Sequence, residues 1–549
     1  MKRRIIMKSI PFKVFGPMFD CSRNAVLTTN SVKQLIDICA DLGYKSFLLY
    51  TEDTYEVHNN PYFGYGRGRY SCDEMREIDR YAAEKGLEFI PCIQTLGHLT
   101  CIFKWAPYEP LRDCHNILMP DDERTYKLID DMFRTLSECV TTRNINIGLD
   151  EAHMVGRGRY YDLHGDADRT ELLVRHVSRV ADIAKKYGFR VSMWSDMFFR
   201  MATGGNYYDS NVTVSDELRA MIPDNVDLVY WDYYSSSSEH YTSMMKAHEK
   251  IKKGSWFAGG LGACRGFSPC NANSIKNTGA AIESCRIENV ENVFLTAWGD
   301  DGGECSRFAF LASLLFAAET AKGNENMEDI QNKFEDYFGI SWDDYMLLDL
   351  LNGDVRTNAS KYLLYNDPFF GLVDTKISDN IGEEYGKLIE KLEPLCNHHR
   401  LGYVFKTAHA LCRVLEIKAN LGQKTREAYK SKKEQSLKEL IESYHELSKR
   451  LRAFYETFRE QWFHENKPFG FEVQDIRIGG LITRVEHCTF RLIQYMNKET
   501  EKIDELEESL LDYSGEGEKR VINDRMSLDY RYMITPNVLV EPNAVFSCL

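Results

Sequence analysis

Between Val14 and about Lys322 the sequence repeats one unit eight times: a short apolar run, then a stretch whose apolar residues recur at i, i+3 and i+4. The runs are Phe15–Asp20, Ser46–Thr51, Glu88–Gln94, Asn144–Glu151, Arg190–Asp196, Val226–Tyr233, Ser255–Gly260 and Val293–Trp298. Runs such as Ile145, Ile147 and Leu149 need cover on both faces, which parallel strands flanked by helices receive. Eight such βα units predict an α/β fold, a (β/α)8 TIM barrel over residues 14–322, with a doubly wound open sheet as the structural alternative. Ser71-Cys-Asp-Glu74 has the form of a capping box and predicts a helix start ahead of the third strand.

Residues 1–13 then form an N-terminal extension. Beyond residue 323 the strand signals stop, and helical patterns at Glu383–Leu395, Phe405–Leu421, Thr425–Glu460 and Gly479–Leu511 predict a mostly α-helical C-terminal domain over 323–549. The Lys- and Glu-rich stretch Lys424–Arg452 reads as a solvated helix packed along one face. Its alternative reading is a partner-binding helix, which would make the chain a homodimer through the helical domain.

The formal net charge of −15 argues against nucleic acid or an anionic membrane as the main partner. Met1–Lys8 is basic but reaches Pro11 without the apolar core of a signal peptide, so a cytoplasmic location is expected. The longest apolar run, Phe308–Ala318, falls well short of the ~20 residues that cross a bilayer and predicts a buried helix. Fifteen cysteines scattered from Cys21 to Cys548, with no C-x-x-C pair, suit reduced thiols better than a disulfide framework.

Polar and aromatic residues gather where the predicted strands end. Asp20 and Arg23 follow the first, Glu52-Asp53 the second, Gly97-His98 the third and Asp150-Glu151 the fourth. Trp194 and Asp196 follow the fifth, Trp231-Asp232-Tyr233-Tyr234 the sixth, and Trp298-Gly-Asp300-Asp301-Gly-Gly-Glu304 the eighth. A site at the C-terminal mouth of a barrel concentrates such residues; an evenly solvated surface does not.

This composition suits acid/base chemistry on a neutral, hydroxyl-rich ligand. Two adjacent carboxylates cannot both ionise easily, so one of Asp150 and Glu151 can hold a proton near neutral pH. Trp194, Trp231, Trp298 and Tyr233 offer flat faces for pyranose rings, while Asp53, Asp300, Asp301 and Glu304 can accept hydrogen bonds from hydroxyls. One difficulty stands: neighbours on a regular strand point to opposite faces, and a retaining glycosidase sets its carboxyls about 5–5.5 Å apart on opposite sides of the anomeric carbon. Sequence neighbours fit better if the nucleophile belongs to the substrate.

The chain resembles glycoside hydrolase family 20, the β-N-acetylhexosaminidases, in particular the bacterial branch with a barrel followed directly by a helical domain. The resemblance rests on Phe19-Asp20-Cys-Ser-Arg23-Asn24, Gln94-Thr-Leu-Gly-His98, Gly148-Leu-Asp150-Glu151, Trp231-Asp-Tyr-Tyr234 and Thr296-Ala-Trp298-Gly. It implies exo hydrolysis of a terminal β-linked N-acetylhexosamine with retention, through an oxazolinium formed by the substrate's own 2-acetamido group, with no cofactor and no metal. Asp150 would then accept the acetamido N–H, Glu151 would protonate the leaving oxygen and activate water, and Tyr233, with Tyr234 as rival, would bond the acetamido oxygen. Trp194, Trp231 and Trp298 would enclose the sugar, Glu304 would bind distal hydroxyls, and His98 would support the carboxylates. Asp53, Asp232 and Asp300 complete the expected substrate-binding set.

Two departures mark the sequence. The arginine that the family carries before the glycine of strand one is replaced by Phe15, with Arg23 or Arg265 as candidate substitutes, and no small α/β domain precedes the barrel. Two other readings remain open. One is a metal-dependent sugar isomerase or amidohydrolase using His98, Asp150, Glu151, His153, Asp196 and Asp232; the other is a carbohydrate-binding barrel without activity.

Overall fold

The computed structural model describes residues 9–262, 266–352, 359–512, 530, 534–537 and 539. Eight parallel strands close on themselves: β1 Val14–Asp20, β2 Ser46–Glu52, β3 Glu88–Ile93, β4 Asn144–Asn146, β5 Arg190–Trp194, β6 Val226–Trp231, β7 Trp256–Gly260 and β8 Asn292–Ala297. Each pairs with its sequence neighbours, and β8 returns to β1 from Val14↔Asn292 to Phe19↔Ala297. The period-2 alternation sends Met18, Tyr50, Cys92, Trp194, Val229, Ala258 and Phe294 into a separate inner core, while residues between them face the helices. Side chains fill the barrel, so a ligand can be received only at its ends.

The capping box forms as expected: Ser71 Oγ accepts the Glu74 N–H and the Glu74 carboxylate accepts the Ser71 N–H, starting the helix Cys72–Glu84. The apolar run at Phe308–Ala318 is buried as a 3₁₀ turn, Arg307–Ala309, and a helix, Leu311–Ala321. No described helix is long and apolar enough to cross a membrane. All thirteen described cysteines are free.

Three boundaries differ most from expectation. β4 ends at Asn146, not Glu151, because Gly148, Leu149 and Glu151 have φ of 74°, 69° and 52°. The single helix expected over Thr425–Glu460 is two, Leu421–Lys430 and Glu434–Glu465, divided where Lys432 takes φ 51°. The last long helix runs Phe471–Met496, earlier than Gly479–Leu511, and the chain leaves it at Lys498, φ 63°. The helix Glu434–Glu465 buries Leu437, Leu440, Tyr444, Leu447, Leu451 and Phe454 along one stripe, against Gly402–Lys418 and Phe471–Met496.

The helices are joined to the barrel's mouth. Thr28 N–H donates to Glu465 O and Lys467 N–H to Val26 O, an antiparallel contact centred on Leu27 and Asn466. The Glu465 carboxylate, itself buried, accepts the N–H of Arg307 beyond β8 at 3.0 Å.

Candidate active site

The site begins with the backbone after β4. Asn146 Oδ1 accepts the Gly148 N–H at 2.9 Å, Gln94 Oε1 accepts the Leu149 N–H at 3.2 Å, and Asp196 Oδ2 accepts the Glu151 N–H at 3.0 Å. The left-handed residues break the alternation that would send Asp150 and Glu151 to opposite faces. His98 Nε2 consequently lies 3.1 Å from Asp150 Oδ2 and 3.8 Å from Glu151 Oε2, so one imidazole reaches both carboxyls.

Gly148 cannot be replaced cheaply. A Cβ there would stand 2.1 Å from Gln94 Oε1 at a φ that L residues avoid. Gln94 cannot withdraw, because its Nε2 donates to Asp150 Oδ1 at 2.7 Å and to Tyr50 Oη at 2.8 Å. Gly148→Ala is expected to cost about 2 kcal/mol or more of stability and at least about tenfold in kcat/KM, measured by denaturant unfolding and steady-state kinetics.

The charges follow from these contacts. Burial works against ionised Asp150, yet His98 and the Gln94 amide hold it below the usual carboxylate range. Burial also works against the imidazolium, and the Asp150 charge overcomes it, lifting His98 to about 9. Asp150 and His98 are therefore a charged pair at neutral pH. Glu151 moves the other way: burial, then the Asp150 charge, push it upward. Its side chain is 51% exposed against 14% for Asp150, so the residue poised to carry a proton is also the one open to a leaving group.

A polar chain crosses the floor from β4 to the segment after β8. Gln94 links Asp150 to Tyr50, whose hydroxyl donates to Glu52 at 3.1 Å; Arg23 then bridges Glu52 at 3.0 Å and Asp300 at 3.1 Å. Aromatic rings form the walls. Tyr50 meets Trp298 edge-on at 4.8 Å, Trp194 lies 6.1 Å from Trp298, and Trp231 stacks on Tyr233 at 5.5 Å. Gly260 leaves Tyr233 its place, since a Cβ there would be 3.3 Å from the ring. Trp194 Nε1 is buried with no hydrogen-bond partner among the described residues.

The structure thus gathers Asp150, Glu151, His98, Tyr233, Trp194, Trp231, Trp298 and Asp300 at one mouth. It does not open Asp53, Asp232 or Glu304 to a ligand. Asp53 is 1% exposed and paired with Arg67 at 3.3 Å. Asp232 is 2% exposed and accepts from Tyr230, His240 and the Tyr234 N–H. Glu304 pairs with Lys361 at 2.7 Å and Arg477 at 2.9 Å, its side chain fully buried. Tyr234 is exposed on the rim beyond Tyr233. Of the wider acid and histidine set, His153 is exposed, and among the described residues no three His, Cys, Asp or Glu side chains form a group that could hold a metal ion.

Phe15 is an outward position, stacked on Tyr44 at 5.0 Å, so an arginine there would point into the helical layer. Arg23 brings the cation to the mouth instead; Arg265 lies outside the described residues. Sequence reasoning gives no role to Glu52, at its strand end, or to Gln94, in its motif, and does not single out Tyr50. For Tyr50 the signal lies in the alternation of β2, two residues after inward Leu48; Glu52 lies past an irregularity in that strand, at φ 43°, where alternation gives no guide.

A closed parallel barrel with an acid pair, a buried polar chain and aromatic walls at its C-terminal mouth defines a barrel glycoside hydrolase. The family model described as the glycosyl hydrolase family 20 catalytic domain matches residues 44–247, and that of the glycoside hydrolase 20C C-terminal domain matches residues 343–524. The chain belongs to glycoside hydrolase family 20. It is 23% identical to bovine hexosaminidase D over 339 residues, 56% of this chain and 92% of that protein. Human hexosaminidase D is 22% identical over 338 residues, 56% of this chain and 66% of that protein. The exo β-N-acetylglucosaminidase of Vibrio harveyi, solved with N-acetylglucosamine, superimposes with a TM-score of 0.46 at 16% identity, over 62% of this chain and 58% of that one.

Proposed function

We propose that the protein is an exo-acting β-N-acetylhexosaminidase that removes a terminal β-linked N-acetylglucosamine or N-acetylgalactosamine with retention. The observation that carries the reading is the single imidazole within 3.8 Å of both Asp150 and Glu151. Carboxyls so placed share one side of the cleft, whereas a two-carboxylate retaining mechanism needs them across the anomeric carbon. The attacking atom is then the substrate's own acetamido oxygen.

In this reading Asp150 accepts the acetamido N–H and stabilises the developing positive charge, for which its low proton affinity suits it. Glu151 gives its proton to the leaving oxygen and takes one back from water as the oxazolinium opens. Tyr233 donates to the acetamido oxygen, Trp194, Trp231 and Trp298 enclose the ring, and Arg23 and Asp300 take hydroxyls. The free cysteines support a cytosolic location.

The test compares a 4-nitrophenyl N-acetyl-β-glucosaminide with the same glycoside lacking the 2-acetamido group. The first is expected to be hydrolysed and the second to react at least about 10³-fold more slowly, because it brings no nucleophile. Equal rates would rule out substrate assistance.

A further inference from the structure

Asp196 is a buried acid that the proposed reaction leaves unused. It opens the helix Asp196–Thr203 directly after β5 and is shielded from solvent. Its Oδ2 accepts the Glu151 N–H at 3.0 Å, while its Oδ1 is buried with no hydrogen-bond partner among the described residues. A carboxyl oxygen so placed is a burden on folding. What it holds is the residue at φ 52°, a conformation that L residues leave readily unless the surroundings fix it.

We propose that Asp196 is a positioning residue for Glu151: its carboxyl clamps the left-handed turn through the Glu151 N–H and so aims the side chain that donates the proton. This rests on the assignment of Glu151 as proton donor made above.

The charged and titratable groups facing Asp196 are Asp150 and Glu151 after β4, Arg200 on its own helix and Tyr207 in the loop that follows. Burial, and then the Asp150 charge, lift Asp196 to about 7. The Glu151 charge adds to that lift, so the two acids lose protons as a coupled pair.

Asp196→Asn keeps an oxygen for the Glu151 N–H and loses the charge; Asp196→Ala loses both. Hydrolysis of the 4-nitrophenyl N-acetyl-β-glucosaminide by the full chain, between about pH 4 and 9, gives kcat and KM separately for each. For Asp196→Asn, which keeps the clamp, the expected result is a kcat and a KM each within about threefold of the parent. For Asp196→Ala it is a kcat about 100-fold lower at little-changed KM, the cost of a misplaced acid.

Melting curves separate this from simple damage. Asp196 binds its proton more tightly folded than unfolded, so its ionisation weighs on the fold from about pH 4 upward, fully by about pH 7. Asp196→Asn should melt above the parent at alkaline pH, with the difference vanishing at acid pH. Should that variant not fold, Asp196→Glu, which keeps a carboxyl for the Glu151 N–H, is expected to retain more of kcat than Asp196→Ala. An Asp196→Ala variant with the parent's kcat overturns the inference, as does a folded Asp196→Asn variant as slow as Asp196→Ala, or a loss expressed in KM alone. An inactive parent would instead overturn the assignment of the reaction.

Discussion

Glu151→Gln is expected to lower kcat about 10³-fold on an N-acetyl-β-glucosaminide with a poor leaving group, within the range of a lost general acid. With a strongly activated phenol in that position most of the loss in the first step should disappear, because the leaving oxygen then departs without a proton. The alkaline limb of the pH profile should vanish as well. In the parent, burial and the Asp150 charge keep Glu151 protonated above the usual glutamic acid range, and activity falls when that proton goes. Asp150→Asn behaves differently: it is expected to impair both substrates by about 10² to 10³-fold, since the acetamido group is no longer oriented whichever group leaves. A Glu151→Gln variant that loses the same factor on both substrates would remove Glu151 from the role of proton donor.

The largest expected effect on stability lies outside the cleft. Lys361, itself buried, stands 2.7 Å from Glu304 and 3.0 Å from Asp301, and Arg477 completes the cluster at 2.9 and 3.0 Å. Burial pushes Glu304 upward against the pull of both cations, so they only partly offset its loss of water. Lys361→Met leaves buried Glu304 and partly exposed Asp301 to one arginine, and the expected loss is about 3–5 kcal/mol in urea unfolding at neutral pH. The deficit should shrink toward acid pH, where Glu304 can take a proton instead of needing a partner. The double variant Lys361→Met with Glu304→Gln should recover much of it; no recovery would mean that Lys361 acts through packing alone.

The barrel was legible because its signal is local and repeated: each strand is a short apolar run, and each helix a stripe. The mouth was legible as a set for the same reason, since strand ends in a barrel must converge. The conformation after β4 was only half written. Gly148 announces a left-handed residue, but Leu149 and Glu151 do not, and the hydrogen bonds that hold them come from Gln94 and Asp196, on other strands' ends. The break at Lys432 likewise has neither Gly nor Pro to mark it.

Burial of Asp53, Asp232 and Glu304 could not be read from the chain for a different reason. An acid at a strand end looks the same whether it faces solvent or a cation, and the cations arrive from elsewhere. Arg67 is 14 positions from Asp53, while Lys361 and Arg477 are 57 and 173 positions from Glu304. Phe15 illustrates the converse. Its place in the alternation of β1 decides that it faces the helices, and a cation reaches the mouth from Arg23 instead.

The Glu304 cluster also sets an order of events during biosynthesis. When the ribosome has finished β8 and the acids behind it, the cations that neutralise them do not yet exist. About 170 more residues must be added before Arg477 emerges, roughly ten to thirty seconds at ordinary elongation rates. Until then the acids beside the barrel's mouth are compensated only in part, by Lys361 once it has emerged. A chain cut short after the eighth strand would possess Asp150 and Glu151 and still lack both cations that Glu304 and Asp301 meet.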